Sequence, residues 1–119
     1  MLTVTQPPVE SSLAGIARAL VADGRGILAA DESLPTIEKR FRTIDVESTE
    51  EARRSYRELL FTAPDVEQYI SGVILFDGTT HQVDASGTPL VDVLTARGII
   101  PGVKVDRGAK PLAGSPRET

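Results

Sequence analysis

The rhythm of apolar positions changes along the chain, and each change marks an element. Leu13, Ile16, Ala17, Leu20 and Val21 recur at i, i+3, i+4, i+7 and i+8, the stripe of an amphipathic helix. Ser11 or Ser12 stands where an N-cap belongs, and Gly24 lies just past the end. The pattern then gives way to apolar runs at residues 26–30, 70–76 and 99–105. Runs with so little polar alternation predict strands covered on both faces, as in a parallel sheet.

Helical patterns fill the gaps. Ser48-Thr49-Glu50-Glu51 matches a capping box in which Ser48 would cap the Glu51 amide. Ala52, Tyr56, Leu59 and Leu60 then predict a buried stripe that Pro64 stops. A shorter helix follows Pro35. The segment from Pro89, capped by Thr88 and closed by Gly98, carries Leu90, Val91 and Leu94 as its apolar face.

Helix, strand, helix, strand, helix, strand predicts an α/β fold with a parallel sheet and right-handed crossovers. Residues 1–10, with Pro7-Pro8 and no period, read as a flexible N-terminal arm, and residues 11–119 as one domain. Three strands with no covering helix after Asp106 leave a bare sheet edge, which templates unwanted pairing. The chain therefore reads as the front part of something longer.

Composition narrows the function classes. The 119 residues carry a net charge of -4, so there is no basic field for nucleic acid. No apolar run approaches the roughly 18 residues of a membrane helix, and the N-terminus lacks the basic and apolar regions of a signal peptide. A cytoplasmic protein is expected. Cysteine is absent and His81 is the single histidine, which disfavours metal-dependent chemistry.

Each apolar run ends at or beside an aspartate: Asp31, Asp77 and Asp106. The carboxyl ends of parallel strands are where ligands bind and catalytic side chains project, although an aspartate there can also simply cap the next helix. Asp31 is set apart because Glu32 and Ser33 follow it before Pro35, leaving a better cap nearby. Lys104 interrupts Val103-Lys104-Val105, where a buried ammonium needs a partner. It reads either as an ion-paired or snorkelling lysine or as a cation held for an anionic or carbonyl substrate. Lys39-Arg40 reads as a solvated face or, with the Thr36 hydroxyl and the early helix amides, as a phosphate clamp.

The strings LAADES at residues 28–33, TIEKRF at 36–41, ESTEEARRSYRELLFTAP at 47–64, ISGVILF at 70–76 and GIIPGVKVDRGAKPLAG at 98–114, in this order and spacing, resemble class I fructose-1,6-bisphosphate aldolase. The resemblance implies roughly the first three βα units of a (β/α)8 TIM barrel, a fold that needs about 250 residues. It implies reversible cleavage of fructose 1,6-bisphosphate to dihydroxyacetone phosphate and glyceraldehyde 3-phosphate, through a lysine Schiff base and without cofactor or metal. The catalytic residues it implies are Asp31, which orients substrate and assists carbon–carbon cleavage, and Lys104, one of the active-site cations. Ser33, Thr36, Lys39 and Arg40 are implied as substrate-binding residues, contacting sugar hydroxyls or the far phosphate. Ser33-Leu34-Pro35-Thr36 stands where the family usually has Ser-Thr-Gly-Ser or Ser-Thr-Gly-Thr, keeping the first hydroxyl and the last. Gly78 stands where an acidic residue is common.

The family's Schiff-base lysine and acid/base glutamate lie on later strands, outside these residues, so the 119-residue chain alone is expected to be inactive. The complete protein is expected to form homotetramers, with a sugar bisphosphate as its partner and neither nucleic acid nor membrane. The alternative is a non-catalytic module that binds sugar phosphates through Thr36 and Arg40 or pairs its open strand edge with another chain.

Overall fold

A computed structural model describes residues 12–119, so the expected arm at residues 1–10 lies outside the described residues. The elements run α1 Leu13–Leu20, β1 Gly26–Ala30, α2 Leu34–Arg42, α3 Glu50–Phe61, α4 Val66–Tyr69, β2 Ile70–Leu75, α5 Leu90–Ala96 and β3 Ile100–Val103, with 3-10 turns at Ala22–Gly24 and Asp77–His81. The three strands form one parallel sheet in the order β1-β2-β3. The expected alternation is present, with α4 as a short addition.

Side-chain packing explains why β2 is central. Its Val73 and Leu75 are buried against Ala30 of β1, Phe61 of α3, Leu90 and Leu94 of α5, and Ile99. Leu90 and Leu94 stand one helical turn apart and are fully buried, so α5 docks by the face its sequence predicts. Full burial of each such side chain contributes about 1.5–3 kcal/mol. A second contact joins α2 to α3, where the Phe41 and Tyr56 rings meet edge to face, their centroids 5.6 Å apart.

Polar atoms tie the ends together. The Ser71 hydroxyl, buried in β2, donates to the Leu20 carbonyl at the end of α1. Arg97, just after α5, donates to the carbonyls of Phe61 and Ala63 at 2.9 Å each, satisfying acceptors that the end of α3 leaves open. Gly98 closes α5 at φ +73°, a conformation that residues with a Cβ avoid.

Four expectations need correction. Thr49, not Ser48, caps α3, accepting from the Ala52 amide at 3.0 Å, while Glu51 turns outward to Arg54. Leu59 is 68% exposed, and the buried positions of α3 are Arg57 and Phe61, because the helix is rotated to bring an ion pair inward. Thr88 does not cap α5: its amide donates to the Asp84 carboxylate, and the cap position belongs to Pro89. Lastly, among the described residues only β2 is covered on both faces and β1 and β3 each pair with β2 alone, while β3 ends at Val103 with Val105 90% exposed.

Candidate functional site

Sheet register sets the geometry at the carboxyl ends of the strands. Ala30 pairs with Leu75, and Leu75 with Val103, so the three strands end at one level. The next residues, Asp31, Phe76 and Lys104, therefore leave the sheet side by side. The Lys104 amide donates to the Leu75 carbonyl at 2.8 Å, which holds its backbone in line one residue past β3. Asp31 and Lys104 lie two strands apart, roughly 9–10 Å by strand spacing. Their side chains bridge that gap: Lys104 Nζ stands 3.8 Å from Asp31 Oδ2, with both groups partly open to solvent. Lys104 also lines a cleft of about 650 Å³ with Ser33, Phe76, Asp77, Asp106 and Arg107.

The loop from β1 into α2 is three residues long and faces three ways. Asp31 meets Lys104. Glu32 turns to the opposite side, where its Oε1 accepts from Arg57 Nη1 at 2.8 Å and its main-chain carbonyl accepts from Arg57 Nη2 at 3.2 Å. This pair is closed off from water, Arg57 being 2% exposed and Glu32 8%. Ser33 occupies the N-cap position of α2, but its hydroxyl is engaged with Thr36 Oγ1 at 3.1 Å rather than with a helix amide. Pro35 in the first turn fits the helix start, where its missing N–H costs nothing.

Ser33, Thr36 and Arg40 follow one another at i, i+3 and i+7, which places them on one face of α2. Thr36 and Lys39 are exposed, and Arg40 is 64% exposed with Nη1 3.8 Å from Glu32 Oε2. The sequence-predicted residues thus fall into two groups: Asp31 with Lys104 across the strand ends, and Ser33, Thr36, Lys39 and Arg40 along α2. Glu32 stands between the groups and touches the second through Arg40.

Electrostatics at Glu32 are a balance. Burial is the largest single influence and pushes its carboxyl up, but its backbone hydrogen bond, the hydrogen bond and charge of Arg57, and the charge of Arg40 together hold it below the ordinary value of 4.5. Among the described residues, no three side chains of the His, Cys, Asp and Glu set gather as a metal site would require. Sequence reasoning missed Glu32 and Arg57. Arg57 lies four residues before Phe61, the other buried position on α3, and that spacing was the available signal.

A family model described as glycolytic, fructose-bisphosphate aldolase class-I, matches residues 12–119. The chain belongs to the class I fructose-bisphosphate aldolase family. It is 57% identical over 106 residues to the probable fructose-bisphosphate aldolase class 1 of Xanthomonas axonopodis pv. citri, covering 89% of this chain and 32% of that protein. It is 59% identical over 96 residues to the cytoplasmic isozyme of Cicer arietinum, covering 81% of this chain and 27% of that one. Among solved structures, the fructose-bisphosphate aldolase of Plasmodium falciparum, in complex with TRAP and a small molecule inhibitor, superposes with a TM-score of 0.81 at 48% identity, over 86% of this chain and 29% of that one. The chain thus spans about a third of the length of the relatives it matches, and its three parallel strands with their helices correspond to the N-terminal βα units of a TIM barrel.

Proposed function

We propose that these residues form part of the active site of a class I fructose-bisphosphate aldolase, a lyase that cleaves fructose 1,6-bisphosphate reversibly to dihydroxyacetone phosphate and glyceraldehyde 3-phosphate. The observation that carries the reading is the pairing of Asp31 with Lys104 at 3.8 Å across the strand ends, where parallel sheets present their chemistry. The remaining part of the barrel supplies the lysine that forms the Schiff base. Asp31 holds the sugar hydroxyls beside the bond that breaks, and Lys104 supplies positive charge near the carbonyl end, offsetting charge that develops there. Lys104 itself is a poor candidate for the nucleophile, because its Nζ faces the Asp31 carboxylate at 3.8 Å and the family reading gives it a supporting part.

Along α2, Ser33 and Thr36 contact sugar hydroxyls and phosphate, and Lys39 and Arg40 supply charge to the far phosphate. Two features support this reading: the helix start, where among the described residues no side chain caps the early amides, and the hydroxyl pair at 3.1 Å. Membership of the family supports a glycolytic and gluconeogenic role in the cytoplasm, as a homotetramer without a metal, and the Cicer relative is named a cytoplasmic isozyme. Among the described residues no helix is long and apolar enough to cross a membrane.

The test uses the complete protein. Incubated with fructose 1,6-bisphosphate it should release both triose phosphates, and borohydride should trap substrate covalently on a lysine outside residues 1–119. Release without trapping, or trapping on Lys39, Lys104 or Lys110, would refute the assignment. The edges of β1 and β3, without a strand partner among the described residues, favour a second reading, a strand-pairing module without catalysis. That reading requires the 119-residue chain to be monodisperse, and its aggregation on purification would count against it.

A further inference from the structure

Arg57 is an expensive way to fill the space between α3 and the β1–α2 loop. Its Nη1 and Nη2 are committed to Glu32, while its Nε is buried without a hydrogen-bond partner among the described residues. A well-packed apolar side chain in place of a buried ion pair is often neutral or stabilising. The placement makes more sense as control of backbone position. Arg57 grips both the carboxylate and the main-chain carbonyl of Glu32, and a planar fork engaging two acceptors of one residue fixes orientation as well as distance.

That residue is bonded to Asp31. In extended backbone consecutive side chains point to opposite sides, and here Asp31 faces Lys104 while Glu32 faces α3. Holding Glu32 therefore holds Asp31. The second carboxylate oxygen of Glu32 stands 3.8 Å from Arg40 Nη1, so the same buried anchor also reaches the cation of α2.

We propose that Arg57 is a positioning residue for the aldol cleavage: through Glu32 it sets Asp31 against Lys104 and steadies Arg40. The inference rests on the aldolase reading above. It concerns the bond-breaking step and recognition of the far phosphate, and leaves Schiff-base formation to the lysine elsewhere in the barrel.

The test again uses the complete protein, with Arg57→Met removing the fork and Arg57→Lys keeping charge alone. Three readouts separate positioning from folding: borohydride trapping of dihydroxyacetone phosphate, kcat for fructose 1,6-bisphosphate, and the ratio of kcat/KM for that substrate to kcat/KM for fructose 1-phosphate. Arg57→Met should trap within twofold of wild type while kcat falls about 100-fold, the scale of a misplacement near 1 Å. The bisphosphate preference should fall as well, and Arg57→Lys should lie between. Cleavage within twofold of wild type, or cleavage and trapping lost in equal proportion, would overturn the inference. Should Arg57→Met not fold, Glu32→Gln tests the same link, since it keeps the main-chain carbonyl but breaks the charged grip. A wild type that neither traps nor cleaves overturns the aldolase reading together with this one; a wild type that does both, beside an Arg57→Met protein that matches it, overturns the positioning role alone.

Discussion

Glu32→Gln should reveal its cost only where Glu32 would be charged. At neutral pH the substitution leaves the Arg57 guanidinium buried without a counter-charge, and breaking a buried pair from one side costs roughly 3–5 kcal/mol. The new amide oxygen can still accept from Nη1, which returns about 1 kcal/mol, and the main-chain carbonyl contact is untouched. Arg40, exposed and 3.8 Å away, adds little because solvent screens it. The expected loss is therefore about 2–4 kcal/mol near neutral pH.

The pH dependence follows from the direction of the Glu32 shift. Its folded carboxyl titrates below the ordinary 4.5, so the stability it contributes is full above that value and is lost as pH falls through the lower, folded one. Urea unfolding of the complete protein and its Glu32→Gln variant should show a full gap at pH 7 and 5.5 that closes in acid below pH 4.5. Other carboxylates titrate in both proteins and cancel from the difference. Glu51→Gln is the control, because it breaks a comparably short 2.7 Å pair whose carboxylate is 72% exposed and whose partner Arg54 keeps Glu58, so the midpoint should not move. A gap equal at pH 7 and pH 3.5, or below about 0.5 kcal/mol throughout, would refute the reasoning.

Two stability predictions concern glycines. At Gly72 in β2 an added methyl would overlap the end of the Leu20 side chain and stand 3.3 Å from the Ile100 carbonyl oxygen, so Gly72→Ala should cost about 1–3 kcal/mol in chemical denaturation. Pairing it with Leu20→Ala should cost less than the two losses added, because the smaller side chain makes room. At Gly98 nothing lies within 4 Å of an added methyl, so Gly98→Ala should cost only the left-handed backbone penalty of about 1–2 kcal/mol, read as a lowered Tm.

What could be read from the chain beforehand was whatever is written locally. The β1 run at 26–30 is continuous and flanked by the charged residues Arg25 and Asp31, so its ends were visible to the residue. The apolar face of α5 was visible too, since Leu90, Val91 and Leu94 repeat at helical spacing. The largest error has its origin in a long-range partner. Arg57 sits in EARRSYRELL, a segment that looks like a charged surface, and its burial depends on a carboxylate 25 residues upstream that no local pattern announces. Once Arg57 turns inward, Leu59 must turn outward, so the misjudged stripe and the missed ion pair are one error. The cap displaced from Ser48 to Thr49 has a local cause: Arg53 claims the Ser48 carbonyl and hydroxyl at 3.0 and 3.3 Å, leaving Thr49 as the hydroxyl at the helix start.

The tripeptide Asp31-Glu32-Ser33 concentrates these effects. An apolar strand delivers it to the sheet end at the level where Lys104 leaves β3, so the register brings Asp31 and Lys104 level and their side chains close the gap across β2. Alternation then sends Glu32 away from the cleft, where an isolated carboxylate among packed helices would be costly; Arg57 removes that cost and ties the loop to α3. Ser33, next in line, reaches the helix start with its hydroxyl already engaged by Thr36. Loop residues would ordinarily be mobile, yet here each of three is held by a different element: one by β3, one by α3, one by α2. On the proposed reading, this site would have its polar groups placed before substrate arrives, so less binding energy would be spent on ordering them.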